Sequence, residues 1–227
     1  MPLTNLCRDV KDEILLLGSM VEQSVIDATS ALKDNDLEQA QEVLENEVTI
    51  NQKRFEIEQT IMGLIAMHQP AARDLRILIA SLNISTELER MGDYAKEIAN
   101  ITLRSQGLSL PVILKHTYLM AESAVDMLHR ALTAFAGEDA AAAERIIPED
   151  DLIDEHYANL YQEAMSVVLT DPRNIERINY VIWIAHNLER LGDRVTNICE
   201  RVIYIVTASR PGPNSIPNEW GISPQGV

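Results

Sequence analysis

Apolar residues recur near the start of the chain at spacings of three and four: Leu6, Val10, Ile14, Leu17, Val21, Val25, Ala28 and Leu32. A helix turning about 100° per residue gathers such positions into one stripe, so the pattern predicts an amphipathic helix from Thr4 to about Lys33. Asp34, Asn35 and Asp36 interrupt it. Asp36 followed by Gln39 has the form of a capping box and opens a second helix reaching about Met67. His68, Gln69 and Pro70 end that helix, and Pro70 is placed to be the first residue of a third one running to about Arg104. Residues 105–111 have the composition of a linker. After Pro111 the pattern starts again, with a helix to about Ala136 that stops at Gly137. Another follows from Asp139 to Val168, bent at Pro148, and a last one is capped by Thr170, Asp171 and Pro172 and reaches about Val206. Amphipathic helices joined by short turns bury their stripes against one another. The expected fold is therefore all-α, two tandem three-helix bundles made of six long antiparallel helices, over residues 1–106 and 107–208. The tail, 209–227, carries Pro211, Pro213, Pro217 and Pro224 and reads as extended or disordered.

Composition supports helices over a β-sandwich or barrel, because only 4% of the residues are aromatic while 46% are hydrophobic. Charge narrows the partners. Nineteen Lys and Arg against 35 Asp and Glu leave a formal net charge of -16, which excludes the electrostatic footprint of a nucleic-acid binder and disfavours an anionic lipid surface. Metal ions and basic protein surfaces stay open. Cys7 and Cys199 form no spacing motif, so neither a disulfide framework nor a thiolate zinc site is indicated. The first residues lack a basic and then apolar leader, and no apolar run is long enough to span a bilayer, so a cytoplasmic protein without membrane insertion is expected.

The two halves repeat each other. Leu88-Glu89-Arg90-Met91-Gly92-Asp93 returns as Leu188-Glu189-Arg190-Leu191-Gly192-Asp193, identical at five of six positions and one hundred residues on. Glu47 to Asn51 aligns with Asp150 to Asp154 on the second helix of each half. On a helical wheel Ile84, Leu88, Met91, Ala95 and Ile98 make the core stripe of the third helix, and Glu89 and Asp93 stand one turn apart on the opposite side. The sixth helix repeats this with Glu189 and Asp193, joined there by His186, Asn197 and Glu200. A lone Glu-x-x-x-Asp pair is ordinarily a solvated face. Here each pair costs about 0.2–0.5 kcal/mol in like-charge repulsion and carries a mid-helix glycine, Gly92 or Gly192, worth about 1 kcal/mol against alanine. Asp150 and Asp154 from the adjacent helix would complete a four-carboxylate set in the second half, suited to Mg, Mn or Fe.

These motifs, with His68-Gln69-Pro70-Ala71-Ala72-Arg73-Asp74-Leu75-Arg76 at the entry to the third helix and Asp150-Asp151-Leu152-Ile153-Asp154 on the fifth, resemble the PhoU family from Leu3 to Val206. The resemblance implies a non-enzymatic regulator of phosphate uptake and of the phosphate-starvation response, acting negatively when phosphate is plentiful. It implies a metal-binding adaptor between the ATPase subunit of the phosphate ABC transporter and the sensor histidine kinase, working as a homodimer. It also implies metal ions, iron or zinc in some members, held here by Glu89 and Asp93 in the first half and by Glu189, Asp193, Asp150 and Asp154 in the second. Asn51 stands where the second half has Asp154; Glu47 and Glu58 are the candidates to make up the missing carboxylate.

The enzyme alternative, a carboxylate-bridged di-iron oxidase or metallohydrolase, needs Glu-x-x-His elements, and none occurs in the sequence. A purely structural dimerisation module is the other alternative. His186 is a candidate imidazole ligand weighed against a solvated surface histidine. Asp126 with His129 reads as incidental, Arg73, Asp74 and Arg76 as structural pairing rather than an anion site, and Met62, Met67, Met91, Met120 and Met165 as core filling.

Overall fold

The computed structural model describes residues 3–105 and 111–209. The linker residues 106–110 and the proline-rich segment 210–227 lie outside them. Helix α1 covers Leu3–Asp34, α2 Leu37–His68, α3 Ala72–Ser105 and α4 Pro111–Gly137. Helices α5 (Ala140–Ile146) and α6 (Asp150–Thr170) flank a 3₁₀ turn, and α7 (Ile175–Thr207) follows a second such turn at Pro172–Asn174. The bend expected at Pro148 is thus a full break: proline supplies no N–H to an α-helical ladder, and the chain passes Ile147–Glu149 in the tighter winding.

Local chemistry explains most boundaries. The Asp36 side chain accepts from the backbone N–H groups of Glu38 and Gln39 and so opens α2. The reciprocal arm of the expected capping box is absent, because the Gln39 amide donates to Asp27 on α1 instead, at 3.3 Å. Pro70 is not the first residue of α3: the helix starts at Ala72, after left-handed backbone at Gln69 and Ala72 (φ 46° and 45°). Asp171 caps the short Pro172–Asn174 turn rather than α7 itself. Gly137 closes α4 as its last residue, but the left-handed position is the next residue, Glu138, at φ 51°.

Helices α1, α2 and α3 pack on one another, as do α4, α6 and α7, with α5 lying against α4 and α7. The halves also pack together, α3 on α7 and α1 on α4, so their stripes merge into one continuous core. Met91 and Met120 are fully buried in it and Met165 packs at its edge, whereas Met62 and Met67 are exposed, correcting the core reading for those two. Cys7 and Cys199 are buried free thiols. Polar ties cross the junction. Glu138 accepts from Lys11 at 2.5 Å and Arg73 at 2.6 Å, and Arg76 Nε donates to the Ile205 carbonyl at 3.2 Å. Glu87 meets Arg194 at 3.2 Å and Asn197 at 3.3 Å, while the Arg190 guanidinium lies 4.9 Å from the centre of the Tyr94 ring. Arg73 thus pairs with an acid, as expected, whereas Arg76 meets a backbone carbonyl rather than an acid. Among the described residues no helix is long and apolar enough to cross a membrane.

Candidate functional site

The repeated acids collect at two equivalent seams, α2 against α3 and α6 against α7. Each seam is built around its glycine. A side chain at Gly92 would come within 3.2 Å of Ile50 on α2, and one at Gly192 would collide with Asp150 on α6 and come within 2.9 Å of Ile153. Ile50 and Ile153 are equivalent positions, both buried. The mid-helix glycine therefore lets the neighbouring helix lie close, and that closeness draws the acids of both helices together. Glu89, Asp93, Asp150, Glu189 and Asp193 consequently sit half-buried at a helix junction, not on the fully solvated face opposite the core stripe that the helical wheel suggests, while Asp154 is exposed at the edge of its seam.

In the second seam Asp150 is the focus. Burial, and then the charges of Asp154, Asp193, Glu189 and Asp151, push its carboxyl up to about 7. Asp154 is raised by burial and by Asp193 and Asp151; Glu189 is raised by burial and by Asp193, with His186 and Arg190 acting the other way. Asp150 Oδ1 and Glu189 Oε2 are buried with no hydrogen-bond partner. Oxygens desolvated in this way cost about 1–3 kcal/mol each unless a donor or cation meets them. The exposed His186 places Nδ1 3.4 Å from that same Glu189 Oε2.

The first seam has the same frame and a different solution. Burial, Glu89 and Glu47 push Asp93 up to about 6, with a hydrogen bond between Asp93 and Glu47. Glu47, itself buried, is met by the Lys96 ammonium at 3.1 Å and by the Asn51 amide. Lys96 has Thr196 as its counterpart in the second half. Of the two candidates to replace the missing carboxylate, Glu47 joins this seam and Glu58 does not, being paired with Arg54 at 2.8 Å. Among the described residues no group of three or more His, Cys, Asp or Glu is already arranged as the ligand set of an ion.

The PhoU domain family's model matches residues 14–102 and again 117–202, one match for each half and each containing one acidic seam. The chain belongs to the PhoU family. The phosphate-specific transport system accessory protein PhoU of Escherichia coli K12 is 32% identical over 197 residues, which span 87% of this chain and 82% of that protein. A PhoU homolog of Pseudomonas putida is 37% identical over 200 residues, 87% of this chain and 78% of the other. Among solved structures, PhoU from Pseudomonas aeruginosa superposes with a TM-score of 0.85 at 33% identity, covering 92% of this chain and all (100%) of that one. The regulatory protein PhoU of Streptococcus pneumoniae does so at 0.85 and 29%, covering 93% and 100%.

Within the PhoU frame, the structure brings Glu89 and Asp93 together with Glu47, and Glu189, Asp193, Asp150 and Asp154 with one another, Asp151 lying at the edge. The sequence shows one asymmetry between the PhoU repeats, Asn51 against Asp154, but the internal counter-ion of the first seam was missed. Its signal was the Lys96 and Thr196 difference, lying three residues past each motif and readable only once Glu47 is known to face that position. Asp126 and His129 do not meet as a ligand pair: Asp126 takes Arg130 at 2.8 Å and His129 lies 3.5 Å from Glu22.

Proposed function

We propose that this PhoU-family chain is a non-enzymatic regulator of phosphate uptake and of the phosphate-starvation response. In this reading it is a cytoplasmic, homodimeric, metal-binding adaptor between the ATPase subunit of the phosphate transporter and the sensor histidine kinase, restraining the response when phosphate is plentiful. The observation that carries the reading is the match of both halves to the PhoU domain, together with relatives named as accessory proteins of phosphate-specific transport.

The residues of the second seam fit a cation. Asp150, Asp154, Glu189 and Asp193 would hold it, oxygen ligands suited to Mg, Mn, Fe or Zn. Its charge would answer the unpartnered Asp150 and Glu189 oxygens and tie α6 to α7. The first seam fits a cation poorly: Lys96 already brings a positive charge to Glu47, so Glu89 and Asp93 belong to a cluster with its own counter-ion. A net acidic protein is an unpromising direct receptor for phosphate, which favours sensing through a partner. The enzyme reading finds no Glu-x-x-His element and relatives named as accessory proteins.

Affinity purification of the tagged chain from phosphate-replete cells tests the adaptor role. Recovery of the transporter ATPase and the kinase is expected. Recovery of neither, from cells in which both are expressed, would overturn it.

A further inference from the structure

Away from the acidic seams, α4 and α6 bring two imidazoles together, each with its Nδ1 toward the other. His116 Nδ1 lies 3.4 Å from His156 Nδ1, with ring centres 5.6 Å apart and planes at 49°. Glu163, also on α6, places Oε1 3.4 Å from the other nitrogen of His116, Nε2, and its second oxygen is buried without a hydrogen-bond partner. The His116 side chain is itself largely buried, at 16% exposure.

A separation of 3.4 Å is longer than the usual donor to acceptor distance of about 2.7–3.2 Å for a hydrogen bond. It matches the edge between two nitrogens of a tetrahedral zinc ion, about 3.3 Å for bonds of about 2.0–2.1 Å. Glu163 occupies the place that a supporting carboxylate takes behind a metal-bound histidine. The negative charge of Glu163 facing Nε2 favours the proton on that nitrogen and leaves the Nδ1 lone pair of His116 available to an ion. Imidazole nitrogens favour zinc, copper or nickel over magnesium or calcium. We propose that His116 and His156 form a two-nitrogen site for a borderline divalent ion, zinc in the cell, with Glu163 as the positioning residue and water completing the coordination. The ion links α4 to α6, the helix that carries Asp150 and Asp154, and is chemically distinct from any ion at the all-oxygen seam. The site does not depend on the phosphate-regulatory reading.

The test uses the untagged full chain stripped with chelator, with Cu(II) as a spectroscopic probe and Zn(II) for affinity. Electron paramagnetic resonance of the Cu(II) form is expected to show two coordinated nitrogens, lost in His116→Ala and in His156→Ala and retained in Asp150→Asn/Asp193→Asn. Calorimetric titration with Zn(II) is expected to show Glu163→Gln weakening binding about tenfold or more while the two-nitrogen signature persists. Thermal melting by circular dichroism verifies folding, and His156→Gln serves if an alanine variant does not fold. Absence of two-nitrogen coordination in the wild type, or survival of the two-nitrogen signature in either histidine variant, would overturn the site; unchanged Zn(II) affinity in Glu163→Gln would overturn the positioning role.

Discussion

Gly192 sits buried where α7 lies against α6, and an added methyl would occupy the space of Asp150 Oδ1. Gly192→Ala should therefore expel the Asp150 carboxylate from the seam and lower divalent-ion affinity by roughly tenfold or more, the loss usual when a ligand's orientation is disturbed. Gly92→Ala meets only Ile50, at 3.2 Å, and alanine recovers about 1 kcal/mol of helix propensity. Calorimetric titration of the two variants should show the first weakened and the second close to wild type. The raised carboxyls make the metal-free protein sensitive to pH. A carboxyl whose folded pKa is elevated holds its proton more tightly folded than unfolded, so its stabilising contribution is complete below 3.8 and is lost as pH rises through about 6 for Asp93 and about 7 for Asp150. In the presence of chelator the melting temperature is expected to fall between pH 5 and 7.5, and the fall should be smaller in Asp150→Asn. Both glycines and the acids of α3 and α7 stood out in the sequence because they repeat, and Asp150 and Asp154 because they lie on the adjacent helix. The half-burial of all but Asp154 did not, since a helical wheel says which side a residue faces but not which neighbour lies over that side.

At the scale of helices, the seams differ in that α3 carries Lys96 where α7 carries Thr196, and α2 carries Asn51 where α6 carries Asp154. Lys96→Thr removes the ammonium from Glu47 and should open the first seam to a cation, although with one carboxylate fewer than the second. Elemental analysis after metal loading is expected to show a higher metal to protein ratio in the variant than in the wild type; an unchanged ratio would show that Lys96 is not what separates the seams. The turn after α4 is a second test. Glu138 holds a left-handed backbone that costs a non-glycine residue about 1–3 kcal/mol. Although burial acts the other way, hydrogen bonds from Lys11 and Arg73 pull its carboxyl below the ordinary glutamate range. Glu138→Ala should cost about 1–2 kcal/mol in urea unfolding, discounted for the exposure of Arg73. Helix ends were legible wherever a side chain does the capping, as at Asp36. They were misread where tertiary contacts decide: Pro70 lies outside α3 because the chain takes a left-handed step at Ala72, and Gly137 gives the left-handed position to Glu138.

For the whole molecule, sequence repetition revealed two bundles but not their union. Pairs such as Glu87 with Arg194 are 107 residues apart and leave no periodic trace, yet α3 and α7 pack along the junction and carry both acidic motifs. The net charge of -16 acquires a location in the same way, with part of it gathered at two seams, one neutralised from within by Lys96 and one open to a cation. A regulatory role for this PhoU-family chain is tested most directly by phosphate uptake and phosphate-starvation gene expression in phosphate-replete cells lacking its gene. Loss of restraint is expected, with both quantities elevated and restored by the wild-type gene but only partly by the Asp150→Asn/Asp193→Asn form. Uptake and expression unchanged by the deletion would contradict the account.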